Sequence, residues 1–152
     1  MYRRIFVAID GSGTSQRALD HALQLGGEQH ARVRVVHAIE WVEHLAMSFS
    51  GGYPVDLTEY RESMREEGER MLSDAKARAG TAGVEVETAT LEGADPRDRT
   101  ARLLVRDAKA WGADLIVLGT HGRTGVDRFV LGSVAESVLH TAHRPVLLIQ
   151  AE

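Results

Sequence analysis

Gly119, Gly122, Gly132 and Ser133 carry the strongest chemical signal in the chain. Gly119 closes the apolar run Leu115 to Leu118, Gly122 and Gly125 follow, and the Gly132-Ser133 pair stands where a new helical pattern begins (Val134, Val138, Leu139, Ala142). A strand, a glycine loop and a helix N-terminus in that order suit the holding of a phosphate. Small residues let backbone N–H groups approach the ligand, and the first helical turn offers unpaired donors at the positive end of its dipole. A second loaded turn, Asp10-Gly11-Ser12-Gly13, follows the apolar run Ile5 to Ile9. On its residues alone Asp10 is a turn or capping residue, and Ser12, Thr14 or Ser15 can cap the helix that follows.

Other chemistries find less support. The chain has no cysteine, which removes disulfides, zinc–thiolate sites and thiol nucleophiles together. Lysine occurs only at Lys76 and Lys109, so a phosphate site must rely on backbone amides, arginines or a metal ion. Arg123, inside the glycine loop, is the arginine best placed to reach a phosphate, and Arg128 is a weaker candidate. Neither a nucleophile–base pair nor a carboxylate dyad is recognisable, and no catalytic or metal-ligating residue is assigned. His121 reads as a loop residue without chemistry, and His37 as a hydrogen-bonded interior residue. A net charge of −4 argues against a nucleic-acid partner. No segment approaches the ~18 apolar residues of a membrane helix. The run after Arg3 and Arg4 is too short for a signal-peptide core, and a cytoplasmic location is expected.

The elements that must position these residues follow from hydrophobic period. Ile5 to Ile9 and Leu115 to Leu118 read as buried strands, Val33 to Ile39 as a second strand in chain order, Pro145 to Ile149 as a short, wholly apolar strand, and Val84 to Leu91 as a half-exposed strand near a sheet edge. Helical spacing after the first turn ends at Gly26-Gly27. A long amphipathic helix is capped by Asp56 with Glu59 and ends near Gly80, and a third helix starts at Asp95-Pro96. Glu40 to Asp56 shows no period and reads as a lid or partner contact, or as a hydrophobic flap packed on its own domain. The alternation of strands and helices over 152 residues predicts one α/β domain with a parallel sheet and right-handed crossovers.

The spacing Gly119, Gly122, Gly132-Ser133, with an aspartate ending the first strand, resembles the nucleotide-binding signature of the universal stress protein (UspA) family, in its ATP-binding branch. The resemblance spans nearly the whole chain. It implies a three-layer α/β/α fold with an open, doubly wound five-stranded parallel sheet of order 3-2-1-4-5. Ligands of such sheets sit where the strand order reverses, here between the strands ending at Asp10 and Gly119. By the same resemblance, Asp10 contacts the adenine or ribose, and the backbone at Ala38 lies against the adenine. Gly119 and Gly122 allow close approach of ribose and phosphates, Arg123 reaches a phosphate, and Gly132, Ser133 and the Val134 amide bind phosphates. ATP, with Mg²⁺ bridging its phosphates, is the implied ligand. The implied role is a stress-response or signalling module; slow ATP hydrolysis or phosphotransfer, or dimerisation without nucleotide, are the alternatives. The apolar edge strand Pro145 to Ile149 predicts a homodimer.

Overall fold

In the computed structural model, which describes residues 1–40, 51, 56–121 and 131–150, the apolar runs become five parallel strands. These are β1 (Arg4–Ala8), β2 (Arg32–Ile39), β3 (Val86–Glu92), β4 (Leu115–Gly119) and β5 (Val146–Ile149), in the order β3-β2-β1-β4-β5. Four described helices connect them: α1 (Gly13–Gln29), α2 (Thr58–Ala82), α3 (Thr100–Trp111) and α4 (Ser133–Thr141). The expected order 3-2-1-4-5 is the observed one, with β3 and β5 at the edges.

Strand period divides the core into two halves. Ile5 and Val7 point to the face covered by α1 and α2, where they meet Leu19, Leu23, Leu72 and Ala75. Phe6 points the other way, toward Leu104 and Ala108 of α3 and Val138 of α4. Both faces of β1 are therefore dry, and Ile5, Phe6 and Val7 are fully buried. That explains an unbroken apolar run rather than an alternating one. Register fixes where the strands stop: Ile5 lies beside Val33 of β2 and Leu115 of β4, so β1 and β4 end level at the reversal of strand order.

Three helix boundaries differ from the expectation. α1 does not stop at Gly26-Gly27 but continues to Gln29, where His30 adopts a left-handed conformation and its N–H bonds back to the Gly26 and Gly27 carbonyls. Gly26 is a packing glycine, since a Cβ there would lie 2.7 Å from Val33 Cγ2. Asp95-Pro96 forms a turn rather than a helix start: Asp95 Oδ1 accepts from Arg97 N at 2.8 Å, and Asp98 Oδ2 turns back to Ala94 N at 2.9 Å. α3 begins only at Thr100, whose N–H and hydroxyl both donate to Glu40 Oε1 at 2.8 Å. The long helix α2 runs to Ala82, past the expected end near Gly80, and starts at Thr58; Asp56 caps it from outside by accepting the Thr58 N–H at 2.9 Å. β3 begins two residues later than expected, because Val84 is committed to packing against the end of α1.

Candidate functional site

Where β1 and β4 end side by side, a cavity of about 230 Å³ opens. Its walls are Ala8 at the end of β1 with Ile9 and Asp10 just beyond it, Ala38 from β2, Leu118 and Gly119 at the end of β4 with Thr120 and His121 just beyond it, and Gly132 to Ala135 at the start of α4. Ser15 of α1 and Thr100 and Leu104 of α3 complete the described lining. The chamber is apolar along Ala38, Leu104 and Leu118 and polar where Asp10 and the α4 terminus face each other.

Each turn at this rim has a local cause. Asp10 Oδ1 accepts the Ser12 N–H at 2.9 Å, which turns the chain through Gly11 at φ 82° and leaves the second carboxylate oxygen without a partner among the described residues. Ser12 then caps α1 by accepting the Ser15 N–H, while Ser15 Oγ returns to Ser12 O at 2.9 Å. The Thr14 hydroxyl donates to the His121 carbonyl and so ties the start of α1 to the chain leaving β4. This contact also explains Gly119: a Cβ there would lie 2.6 Å from Thr14 Oγ1 and 2.9 Å from the Thr14 carbonyl carbon. The missing side chain at 119 is thus already required by packing against α1.

Three helix N-termini converge on the cavity, and they differ in how their free amides are satisfied. α1 is closed by Ser12 and α3 by Glu40. Among the described residues α4 has no side-chain cap; Gly132 holds the N-cap position, and the first intrahelical bond is donated by Glu136 N to Gly132 O at 2.9 Å. The amides of Ser133, Val134 and Ala135 therefore have no acceptor inside the helix and sit at its positive end. The Gly132 amide is different: it donates to Thr120 O at 2.8 Å, and a Cβ at 132 would come within 3.0 Å of that oxygen. Gly132 shapes the approach of α4 to β4, and its own N–H is not free to bind an anion.

The sequence profile of the universal stress protein family matches residues 1–150. The chain belongs to that family. A universal stress protein of Methanocaldococcus jannaschii is 34% identical over 150 residues, covering 99% of this chain and 83% of the relative. A crystal structure of a universal stress protein family member from Burkholderia pseudomallei superposes with a TM-score of 0.78 at 36% identity, covering 99% of this chain and 97% of that one. A universal stress protein from Archaeoglobus fulgidus, solved in complex with dAMP, superposes with a TM-score of 0.69 at 27% identity and covers 98% of both chains.

In this universal stress protein, Asp10, Ala38, Gly119, Gly132, Ser133 and Val134 come together around one cavity, although they span 125 positions of the sequence. Gly122, Arg123 and Arg128 lie outside the described residues, as does most of the segment 40–56 for which a lid or flap is expected. Residues that sequence reasoning did not assign also stand here. Thr100 lines the cavity and is held by Glu40; 60 positions separate the two, and no local pattern signals the pairing. Thr14 was legible only as one of three capping candidates. Among the described residues, no cluster of three or more acidic or histidine side chains is placed to hold a metal ion.

Proposed function

We propose that this universal stress protein binds an adenine nucleotide, ATP in the first instance, in the cavity between the ends of β1 and β4. The observation that carries the reading is the uncapped N-terminus of α4, facing a cavity at which the other two helix termini are closed by Ser12 and Glu40. An anion bound there gains the Ser133, Val134 and Ala135 amides and the helix dipole, without displacing any bond among the described residues. The apolar wall of Ala38, Leu104 and Leu118 suits a base, and the Asp10 oxygen that has no partner among the described residues suits ribose hydroxyls as an acceptor. Gly119 lines the cavity along the proposed path of the sugar and phosphates, and Gly122 and Arg123 are assigned to the ribose and phosphates from their places in the glycine-loop sequence. Mg²⁺ would travel with the phosphates, which supply most of its oxygen ligands. The dAMP complex of the Archaeoglobus fulgidus relative supports an adenine nucleotide as the class of ligand.

The proposed role is that of a single-domain, cytoplasmic nucleotide-dependent signalling module. It acts as a dimer through β5, which among the described residues pairs only with β4 and whose Val146, Leu147 and Leu148 are half-buried. The binding reading is tested by thermal unfolding with and without Mg-ATP. Ligand at about 100 times its Kd stabilises by about 2.7 kcal/mol, or about 5–11 °C for a domain of this size. The same shift with every nucleotide base, or none with millimolar ATP, removes it. A phosphate-release assay separates a sensor from a slow hydrolase. Light scattering at micromolar concentration tests the dimer, and a monomeric mass refutes it.

A further inference from the structure

His37 is buried, 3% exposed, in the strand that carries Ala38. Its Nδ1 lies 3.0 Å from the Ile9 carbonyl. A carbonyl only accepts, so Nδ1 bears the proton and Nε2 is left as an acceptor. Nε2 is buried and has no partner among the described residues. An imidazole held for stability alone would be expected to satisfy both nitrogens, because a buried unpaired acceptor carries a desolvation cost. α2 is fitted to the ring: a Cβ at Gly68 would stand 2.6 Å from His37 Cδ2.

The bond to Ile9 has a consequence for the ladder. β1 and β2 pair in register as far as Ala8 beside Val36, and Ile9 N still donates to Val36 O at 2.9 Å. In a parallel ladder the next rung runs from Ala38 N–H to Ile9 O. That rung is not formed among the described residues, and the His37 side chain takes the Ile9 carbonyl in its place. N–H and C=O of one strand residue point to the same side, so the Ala38 donor and acceptor both project past the end of β1, where Ala38 lines the cavity.

We infer that His37 is the positioning residue of the nucleotide site: by capturing the Ile9 carbonyl it ends β1–β2 pairing one rung early and leaves the backbone N–H and C=O of Ala38 free to read a base. The inference rests on the adenine-nucleotide reading for its ligand, but its structural half does not. An adjacent donor and acceptor match the ring nitrogen and amino group of adenine, and present the wrong order to the corresponding edge of guanine. His37 never touches the nucleotide.

The test compares His37→Leu, which removes the donor, with His37→Asn, whose side-chain N–H can occupy the Nδ1 position. Amide hydrogen exchange without ligand reads the rung. In the wild type Ala38 exchanges at least 10 times faster than Val36, and in His37→Leu it slows at least tenfold as Ile9 O returns to the ladder. AMP affinity falls at least tenfold in His37→Leu and stays within threefold in His37→Asn, while binding of inorganic tripolyphosphate stays within twofold in both. If His37→Leu does not fold, Gly68→Ala displaces the ring and lowers AMP affinity at least threefold. A wild-type Ala38 amide as protected as Val36, equal loss in the Leu and Asn variants, or equal loss of AMP and tripolyphosphate overturns the inference. A wild type that binds no nucleotide while the exchange pattern holds overturns the ligand reading and leaves the ladder assignment standing.

Discussion

Replacing Gly119 by alanine adds one methyl group at the point where β4 meets α1. The new Cβ would lie 2.6 Å from Thr14 Oγ1, 2.8 Å from Thr14 Cβ and 2.9 Å from the Thr14 carbonyl carbon. The hydroxyl can rotate away only by giving up its bond to the His121 carbonyl, and the carbonyl carbon moves only if the first turn of α1 moves. Overpacking against backbone belongs at the upper end of the usual cost, about 2–3 kcal/mol. For a domain of this size that is about 4–12 °C in Tm. Urea unfolding of the wild type, Gly119→Ala, Thr14→Gly and the double variant measures the clash directly. Thr14→Gly removes two of the three contacts, so the cost of Gly119→Ala should fall by at least ~1 kcal/mol in that background, a coupling typical of touching residues. Strict additivity, or a Gly119→Ala variant as stable as the wild type, would refute the packing account of Gly119.

Other outcomes follow from the same geometry. Gly26→Ala should cost about 1–3 kcal/mol through Val33, whereas Gly27→Ala, whose Cβ would sit 3.8 Å from Val84, should gain about 0.5–1 kcal/mol of helix propensity; chemical denaturation of both variants checks the pair. Glu40→Ala uncovers the Thr100 amide and should cost about 0.5–2 kcal/mol, as losses of helix caps do, read from the same denaturation curves. The hydrogen bond from Arg65 holds the Glu92 carboxyl below its ordinary value of 4.5, and the bond from Arg97 does the same for Asp95. Carboxyls lowered on folding add stability that is fully present above the ordinary carboxylate range and is lost as pH falls through the lowered values. Tm should thus decline below about pH 4.5, less steeply in Glu92→Gln; both groups are largely exposed, so high salt should flatten the effect.

The strands and the turns that end them were legible because each rests on a local signal: a wholly apolar run for a strand buried on both faces, and a glycine-marked turn after it. The strand order, and with it the meeting of Asp10 with Gly119, was implied by the family resemblance and not by any local pattern. The helix starts were less legible where a distant residue decides them. Asp95-Pro96 has the composition of a helix N-terminus, yet Glu40, from the far end of β2, draws the start to Thr100. Glycine proved ambiguous in the same way. Gly26 has the form of a helix stop but is set by Val33, and Gly119 and Gly132 have the form of phosphate-loop residues but are set by Thr14 and the Thr120 carbonyl. His37 was readable as an interior residue; that its proton goes to the Ile9 carbonyl depends on where β1 turns away from β2, which no local pattern records.

The most direct measurement is an amide NMR titration of the protein with Mg-ATP. A nucleotide seated at the α4 terminus produces saturable shifts, at one nucleotide per chain, largest at the amides of Ser133, Val134 and Ala135 and at Ala38, with the Gly132 amide, bonded to Thr120 O, shifting less. Shifts centred instead on the capped starts of α1 or α3, or no shift at millimolar nucleotide, would contradict it.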